Sequence, residues 1–185
     1  MASEEGLGER LRTLQAVAFD VDGVLTDGRL TWSTTGEESK SFAFADIMGV
    51  SLLRRLGVKM ALISGESAAQ VDLFAKKMHI AHVTKGTRDK AAALRVFAEN
   101  AGVALEHTCF FGDDVNDLFA MEIAGVCTCP ANAAAEVLEY VRGRGESGFI
   151  AELPGGCGAV RQFADAVIAA RGLRGRDVFT WNAPV

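Results

Sequence analysis

Residues 16–28 read AVAFDVDGVLTDG. Four apolar residues, Ala16–Phe19, stop abruptly at Asp20 and Asp22, and Gly23 follows. A short apolar run closed by a turn signal reads as a buried strand, because a helix needs ten or more residues to bury a stripe. The stretch therefore places two carboxylates at the carboxyl end of a strand. The same grammar recurs downstream: Val58–Ile63 runs into Ser64, and Thr108–Phe111 runs into Gly112 and Asp113. Ile80–Val83 and Val126–Thr128 are shorter strand candidates.

Helical periods separate these runs. Val71, Phe74, Ala75 and Met78 fall at i, i+3, i+4 and i+7, as do Leu94, Phe97, Ala98 and Ala101. Leu52, Leu53 and Leu56 mark an earlier helix. Later helices are expected from Asp117, around Ala133–Val141, and over Val160, Phe163, Ala164, Val167 and Ile168. Strand–helix alternation at this pace predicts an α/β fold, a Rossmann-like doubly wound parallel sheet with helices on both faces. Arg29–Ser33 and Ser39–Phe44 flank Thr34-Thr35-Gly36-Glu37 and break the rhythm, predicting a β-hairpin insert over about 29–44. Residues 1–13 read as an N-terminal extension, 14–171 as the domain, and 172–185 as a tail, basic and then apolar at Phe179 and Trp181.

Composition narrows the function. Of 185 residues, 49% are hydrophobic and 23% charged, which suits a packed domain and argues against disorder. The net charge of −5 argues against a nucleic-acid partner, which calls for a basic surplus. No apolar stretch approaches the ~18–20 residues of a membrane span. The acidic start MASEEGLGERLRTLQ is unlike a signal peptide, so a cytoplasmic setting is expected. Of four cysteines, only Cys127 and Cys129 are paired in sequence, too few for a zinc site, so all four are expected to be small buried residues. His79, His82 and His107 have no ligand-like spacing.

The polar residues that end the strands are Asp20, Asp22, Ser64 and Asp113, with Lys90 at the start of a helix. In an open parallel sheet, ligands bind beyond the carboxyl ends of the strands, so the fold gathers these distant positions. An EF-hand is excluded: counted from Asp20, the fifth and sixth positions are Val24 and Leu25, and the twelfth is Thr31. Asp20 and Asp22, together with Gly112-Asp113-Asp114-Val115-Asn116-Asp117, instead supply hard oxygen ligands suited to Mg²⁺.

With DVDGVLTDG at 20–28, Ser64, Lys90 and GDDVND at 112–117 in order, the chain resembles the haloacid-dehalogenase-like phosphohydrolase superfamily. The resemblance implies that Asp20 is the nucleophile that becomes phosphorylated. It makes Asp22 the general acid–base, and Ser64 and Lys90 the holders of the transferring phosphoryl group. Asp20, Asp22 (through its backbone carbonyl) and Asp113 then bind Mg²⁺, with Asp114 and Asp117 supporting them.

Too few positions separate Asp22 from Ser64 for a large cap domain. TDGRLTW, TGEESKSF, ADIMGVSLL and GGCGAVRQ (155–162) resemble the capless subgroup acting on keto-deoxy sugar-acid phosphates. That likeness implies a small anionic sugar phosphate as partner, 3-deoxy-D-manno-octulosonate 8-phosphate first, with Gly65, Glu66, Asp46 and Lys90 around it. It also implies a homotetramer, with apolar Leu30, Trp32, Phe42 and Phe44 near the hairpin as the interface. Glu66, Ala45 and Phe74 stand where the octulosonate enzymes carry basic residues, and Arg142–Ser147 looks like a short insertion. Glu66 is shared with relatives acting on nonulosonate (sialic-acid-like) 9-phosphates, the alternative substrate. GVSLLRRLGVKMALIS also resembles the C-terminal domain of CMP-sialic acid synthetases, whose likeness implies a non-catalytic oligomerisation module. A phospho-accepting receiver domain is disfavoured, because its aspartate ends the third strand, whereas Asp20 ends the first.

Overall fold

The structure is a computed structural model describing residues 2–180. In chain order the elements are α1 (Ala2–Arg12), β1 (Ala16–Phe19), β2 (Thr31–Trp32), β3 (Glu38–Ser39), α2 (Phe44–Arg55), β4 (Lys59–Ile63), α3 (Ala69–Met78) and β5 (His82–Thr84). They continue with α4 (Lys90–Ala101), β6 (Thr108–Phe111), α5 (Leu118–Ile123), β7 (Val126–Cys129), α6 (Ala135–Gly143), β8 (Gly148–Ile150), α7 (Ala159–Ala170) and α8 (Gly175–Thr180).

Six strands form one parallel sheet in the order β5-β4-β1-β6-β7-β8. Strand order reverses between β1 and β6, and a crevice opens at such a switch point. Side chains alternate along each strand, so the sheet feeds two cores. Val17 and Phe19 of β1, Met60 and Leu62 of β4, and Cys109 and Phe111 of β6 face one core, which α2, α3 and α7 cover. Ala18, Ala61, Ile63 and Phe110 face the other, under α4, α5 and α6. The helical periods bury the expected stripes: Val71, Phe74, Ala75 and Met78 in α3, and Val160, Phe163, Ala164, Val167 and Ile168 in α7.

The insert between β1 and α2 is a hairpin, but a shorter one than the sequence suggests. Only Thr31–Trp32 and Glu38–Ser39 pair, and all four residues are exposed, so there is no face to bury and little to extend the ladder. Beyond Ser39 the chain turns inward. The Phe42 ring stacks on Phe74 at 4.5 Å, and Phe44, expected in the second arm, opens α2 instead. No cap domain intervenes between β1 and β4.

Both ends of the chain carry helices. Part of the anticipated N-terminal extension is α1, which packs on α7; Leu11 and Leu14 enter the main core. The anticipated tail forms α8, whose Val178 packs with Leu52 and Ile168; Trp181 lies outside the described residues. Arg142–Ser147, read as an insertion, completes α6 and turns the chain into β8, a strand the sequence did not announce. Gly148 is required there, because a Cβ would collide with the Val141 carbonyl. Cys109, Cys127 and Cys129 are buried as expected, whereas Cys157 is exposed in the loop before α7. Among the described residues no helix is long and apolar enough to cross a membrane.

Candidate active site

Asp20 leaves β1 with its N–H still donating to Phe111 O (2.8 Å), so the end of the strand ladder fixes its place beside β6. The loop that follows is rigid. Val24 and Leu25 are fully buried. The buried Thr26 hydroxyl donates to Val21 O (3.4 Å) and accepts from Gly23 N and Gly28 N (3.3 Å each). Gly23 has φ +92°, and a Cβ there would strike the Asp113 carboxylate, so only glycine lets the two loops meet.

Lys90 is the first residue of α4, a helix capped by Asp89, whose carboxylate accepts from Ala92 N at 2.8 Å. Its buried ammonium lies 2.9 Å from Asp20 Oδ1 and 2.6 Å from Asp117 Oδ1. Asp117 Oδ2 accepts from the N–H groups of Asp113 (2.9 Å) and Asp114 (3.2 Å). Asp117 is thus fully committed: one oxygen to Lys90, the other to the backbone that presents Asp113. Asp114 caps the short turn after β6 with its own carboxylate on Val115 N (2.7 Å) and is exposed. Ser64, buried at the end of β4, is tied through its N–H to Thr84 O (2.9 Å). Its hydroxyl oxygen accepts from Glu66 N (3.1 Å), leaving the hydroxyl hydrogen to donate elsewhere. Gly65 and Glu66 are exposed beside it.

The electrostatics are those of a site short of positive charge. Burial, followed by the Asp117 charge, pushes Asp20 up to about 7 despite the opposing pull of Lys90. Burial and the charges of Asp20, Asp117 and Asp114 raise Asp113 to about 8. Burial depresses Lys90, but Asp20 and Asp117 outweigh it and hold its pKa above the usual lysine value. Carboxylate oxygens of Asp20, Asp113 and Asp117 can all lie within 4.8 Å of one another, and Asp113 Oδ1 is buried with no hydrogen-bond partner. Since both Asp117 oxygens are occupied, Asp20 and Asp113 supply the carboxylates free to hold a divalent cation, and a hard-oxygen set of this kind fits Mg²⁺.

The Asp22 carboxylate, read from resemblance as the acid–base and not as a metal ligand, lies outside that acidic cluster and pairs with Lys40 Nζ at 2.6 Å. Asp46, expected from resemblance to contact substrate, is buried and bound to backbone N–H groups. Its oxygens accept from the N–H groups of Gly158 (3.0 Å), Val160 (3.0 Å) and Arg161 (3.1 Å), capping an α7 whose own cap residue, Gly158, has no side chain. Lys40 and Thr26 escaped the sequence reading; a lone lysine in a polar hairpin arm and a threonine in a loop carry no periodic signal. A cavity of about 730 Å³ between the hairpin and the start of α3, lined by Trp32 and Gln70 among others, includes none of the charged site residues.

A buried strand-end aspartate paired to a lysine, beside a second strand-end aspartate that is free to take a cation, defines the class. The chain belongs to the haloacid dehalogenase-like hydrolases, and that family's model matches residues 59–143. Among characterised relatives, it is 31% identical over 164 residues to 3-deoxy-D-manno-octulosonate 8-phosphate phosphatase of Haemophilus influenzae, covering 89% of this chain and 88% of that one. The corresponding phosphatase of Moraxella catarrhalis, solved with magnesium, phosphate and the sugar acid, superposes with a TM-score of 0.82 at 32% identity, covering 90% of this chain and 92% of that one. The Yersinia pestis phosphatase superposes at 0.84 with 27% identity, over 90% and 87% of the two chains.

Proposed function

We propose that this phosphoric monoester hydrolase removes phosphate from 3-deoxy-D-manno-octulosonate 8-phosphate through an aspartyl-phosphate on Asp20. The observation that carries the reading is the Lys90 ammonium bonded to both Asp20 and Asp117 in a buried crevice at the β1/β6 switch point. The relatives' substrate supports the choice of sugar acid.

Asp20 attacks phosphorus as a carboxylate, and the bond to the leaving alkoxide oxygen breaks. Asp22 gives that oxygen its proton, then takes one from the water that hydrolyses the phosphoenzyme. Lys90 and the free hydroxyl hydrogen of Ser64 hold the phosphoryl oxygens in line for transfer. Asp20, the Asp22 backbone carbonyl and Asp113 would hold magnesium, with Asp114 and Asp117 supporting them. When bound, the ion would supply positive charge to offset that of the anionic nucleophile and ester.

Substrate choice turns on Glu66. Its side chain is exposed beside Ser64, while its backbone is pinned by Ser64 Oγ and by Gly86 N, which donates to Glu66 O at 3.2 Å. A carboxylate there repels the carboxylate of a sugar acid that comes close, but accepts hydrogen bonds from its hydroxyls. Because Glu66 is shared with the nonulosonate 9-phosphate relatives that the chain resembles, such an ester is the second reading. Magnesium-dependent phosphate release, measured on eight- and nine-carbon keto-deoxy acid phosphates, tests both, and no release from any sugar phosphate rejects them. Glu66→Arg should shift the ratio of kcat/KM for the two substrates towards the octulosonate ester.

The same reading includes a homotetramer. Leu30, Trp32 and Phe44 are exposed around the hairpin, Phe44 by 82%, and a capless site needs cover from water. Light scattering on a size-exclusion column checks it; a stable, active monomer counts against it.

A further inference from the structure

Lys40 leaves the hairpin directly after β3 and turns inward. Its side chain is only 3% exposed, with Nζ 2.6 Å from Asp22 Oδ1 and 3.8 Å from Glu38 Oε1. Burying an ammonium is costly unless a carboxylate meets it, and breaking such a pair leaves an uncompensated charge. Lys90 is occupied with Asp20 and Asp117, so it is Lys40, a second lysine with a buried side chain, that meets Asp22. The second Asp22 oxygen, Oδ2, is buried and has no hydrogen-bond partner. One oxygen of Asp22 is pinned; the other is left to exchange a proton.

We propose that Lys40 is the positioning residue for Asp22, fixing its carboxylate for proton transfer and tying the hairpin's geometry to the chemical step. This rests on the reading of Asp22 as the acid–base. A side-chain carboxylate in a loop otherwise rotates among rotamers, and only a fraction of them meet the leaving oxygen in line. Anchoring Oδ1 from the hairpin removes that freedom. It also gives the insert a catalytic duty: whatever holds the hairpin in place holds Asp22 in place.

The test uses two substrates that differ in their need for a proton. From a sugar phosphate the sugar leaves as an alkoxide and requires the Asp22 proton; from p-nitrophenyl phosphate a stable phenolate leaves and does not. Lys40→Met, which keeps most of the side chain's length and removes its charge, should lower kcat for the sugar phosphate by about 10- to 100-fold, part of what general acid–base catalysis supplies. KM should move little. With p-nitrophenyl phosphate the pre-steady-state burst of phenolate should persist at nearly the wild-type rate, followed by slow turnover as the phosphoenzyme waits for water. Lys40→Arg should restore part of the lost kcat. In an Asp22→Asn background, Lys40→Met should have no further effect on kcat, since the two act through one carboxylate.

A burst slowed as much with p-nitrophenyl phosphate as with the sugar phosphate, a lost burst or a raised KM would make Lys40 a substrate-binding residue and overturn the proposal; so would unchanged kinetics. If Asp22→Asn alone leaves sugar-phosphate turnover intact, the acid–base reading of Asp22 fails first. If Asp22→Asn is impaired and Lys40→Met is not, only the positioning role fails. Should Lys40→Met prove unfolded by thermal melting, Lys40→Arg and Lys40→Gln carry the same comparison.

Discussion

The Lys90 ammonium lies 2.6 Å from Asp117 Oδ1, in a pair whose side chains are 1% and 0% exposed. Asp117 also accepts from the N–H groups of Asp113 and Asp114. It therefore neutralises the lysine and shapes the β6 loop at once. Asp117→Ala should cost about 3–5 kcal/mol of folding stability, because it strands part of a buried charge. Asp117→Asn should cost less, since an amide oxygen can still accept from Lys90 or from the loop N–H groups. Urea titration of the two variants against the parent checks the order, and equal stability of all three would refute it.

Asp20→Asn should abolish turnover, by at least about 10³-fold, without unfolding the chain. The amide keeps the shape, and Lys90 retains Asp117 as its partner. A normal melting temperature with no phosphate release is the expected result. Near-normal release from protein free of contaminating phosphatase would remove Asp20 as nucleophile.

Asp46 bridges α2 to the start of α7, with three backbone N–H groups converging on its carboxylate. Asp46→Ala leaves those donors unmet in a buried place and should cost about 2–4 kcal/mol. Because the carboxylate is fully engaged, KM for the sugar phosphate should change little once the melting temperature has been accounted for. A raised KM at unchanged stability would return Asp46 to the substrate side.

Asp20 and Asp113 sit at about 7 and about 8 in the folded chain, above the ordinary carboxylate range. Raised values mean that the folded state holds protons more tightly than the unfolded one. Their stabilising contribution is complete below the unfolded pKa and is lost as pH rises through these folded values. Metal-free protein should therefore lose this contribution progressively between about pH 4 and about pH 8, and melt lower for it. Magnesium competes with those protons, so its stabilising shift should be larger at about pH 8 than at about pH 6. Asp113→Asn should flatten both trends. Thermal melts with and without magnesium at the two pH values measure this, and an equal magnesium shift at both would contradict it.

Residue order alone was enough to read the sheet and the polar positions along its carboxyl edge. Apolar runs ending at Phe19, Ile63 and Phe111 can only be buried strands, and parallel pairing with crossover helices sends their carboxyl ends to one edge. Asp20, Ser64 and Asp113 were legible for that reason, and so were the stripes of α3, α4 and α7. Tertiary structure decided the rest, because the remaining contacts have no local period. β8 is a three-residue, half-buried edge strand whose pairing depends on β7 alone. α1 and α8 gain stability only from the surfaces they cover. Whether Asp46 meets a substrate or a helix end depends on Gly158, more than a hundred residues away. Whether Lys40 is a solvated hairpin charge or the partner of Asp22 depends on the hairpin turning inward after Ser39. Charge pairing of this kind acts through space over a few ångströms, and the linear order of residues does not encode that distance.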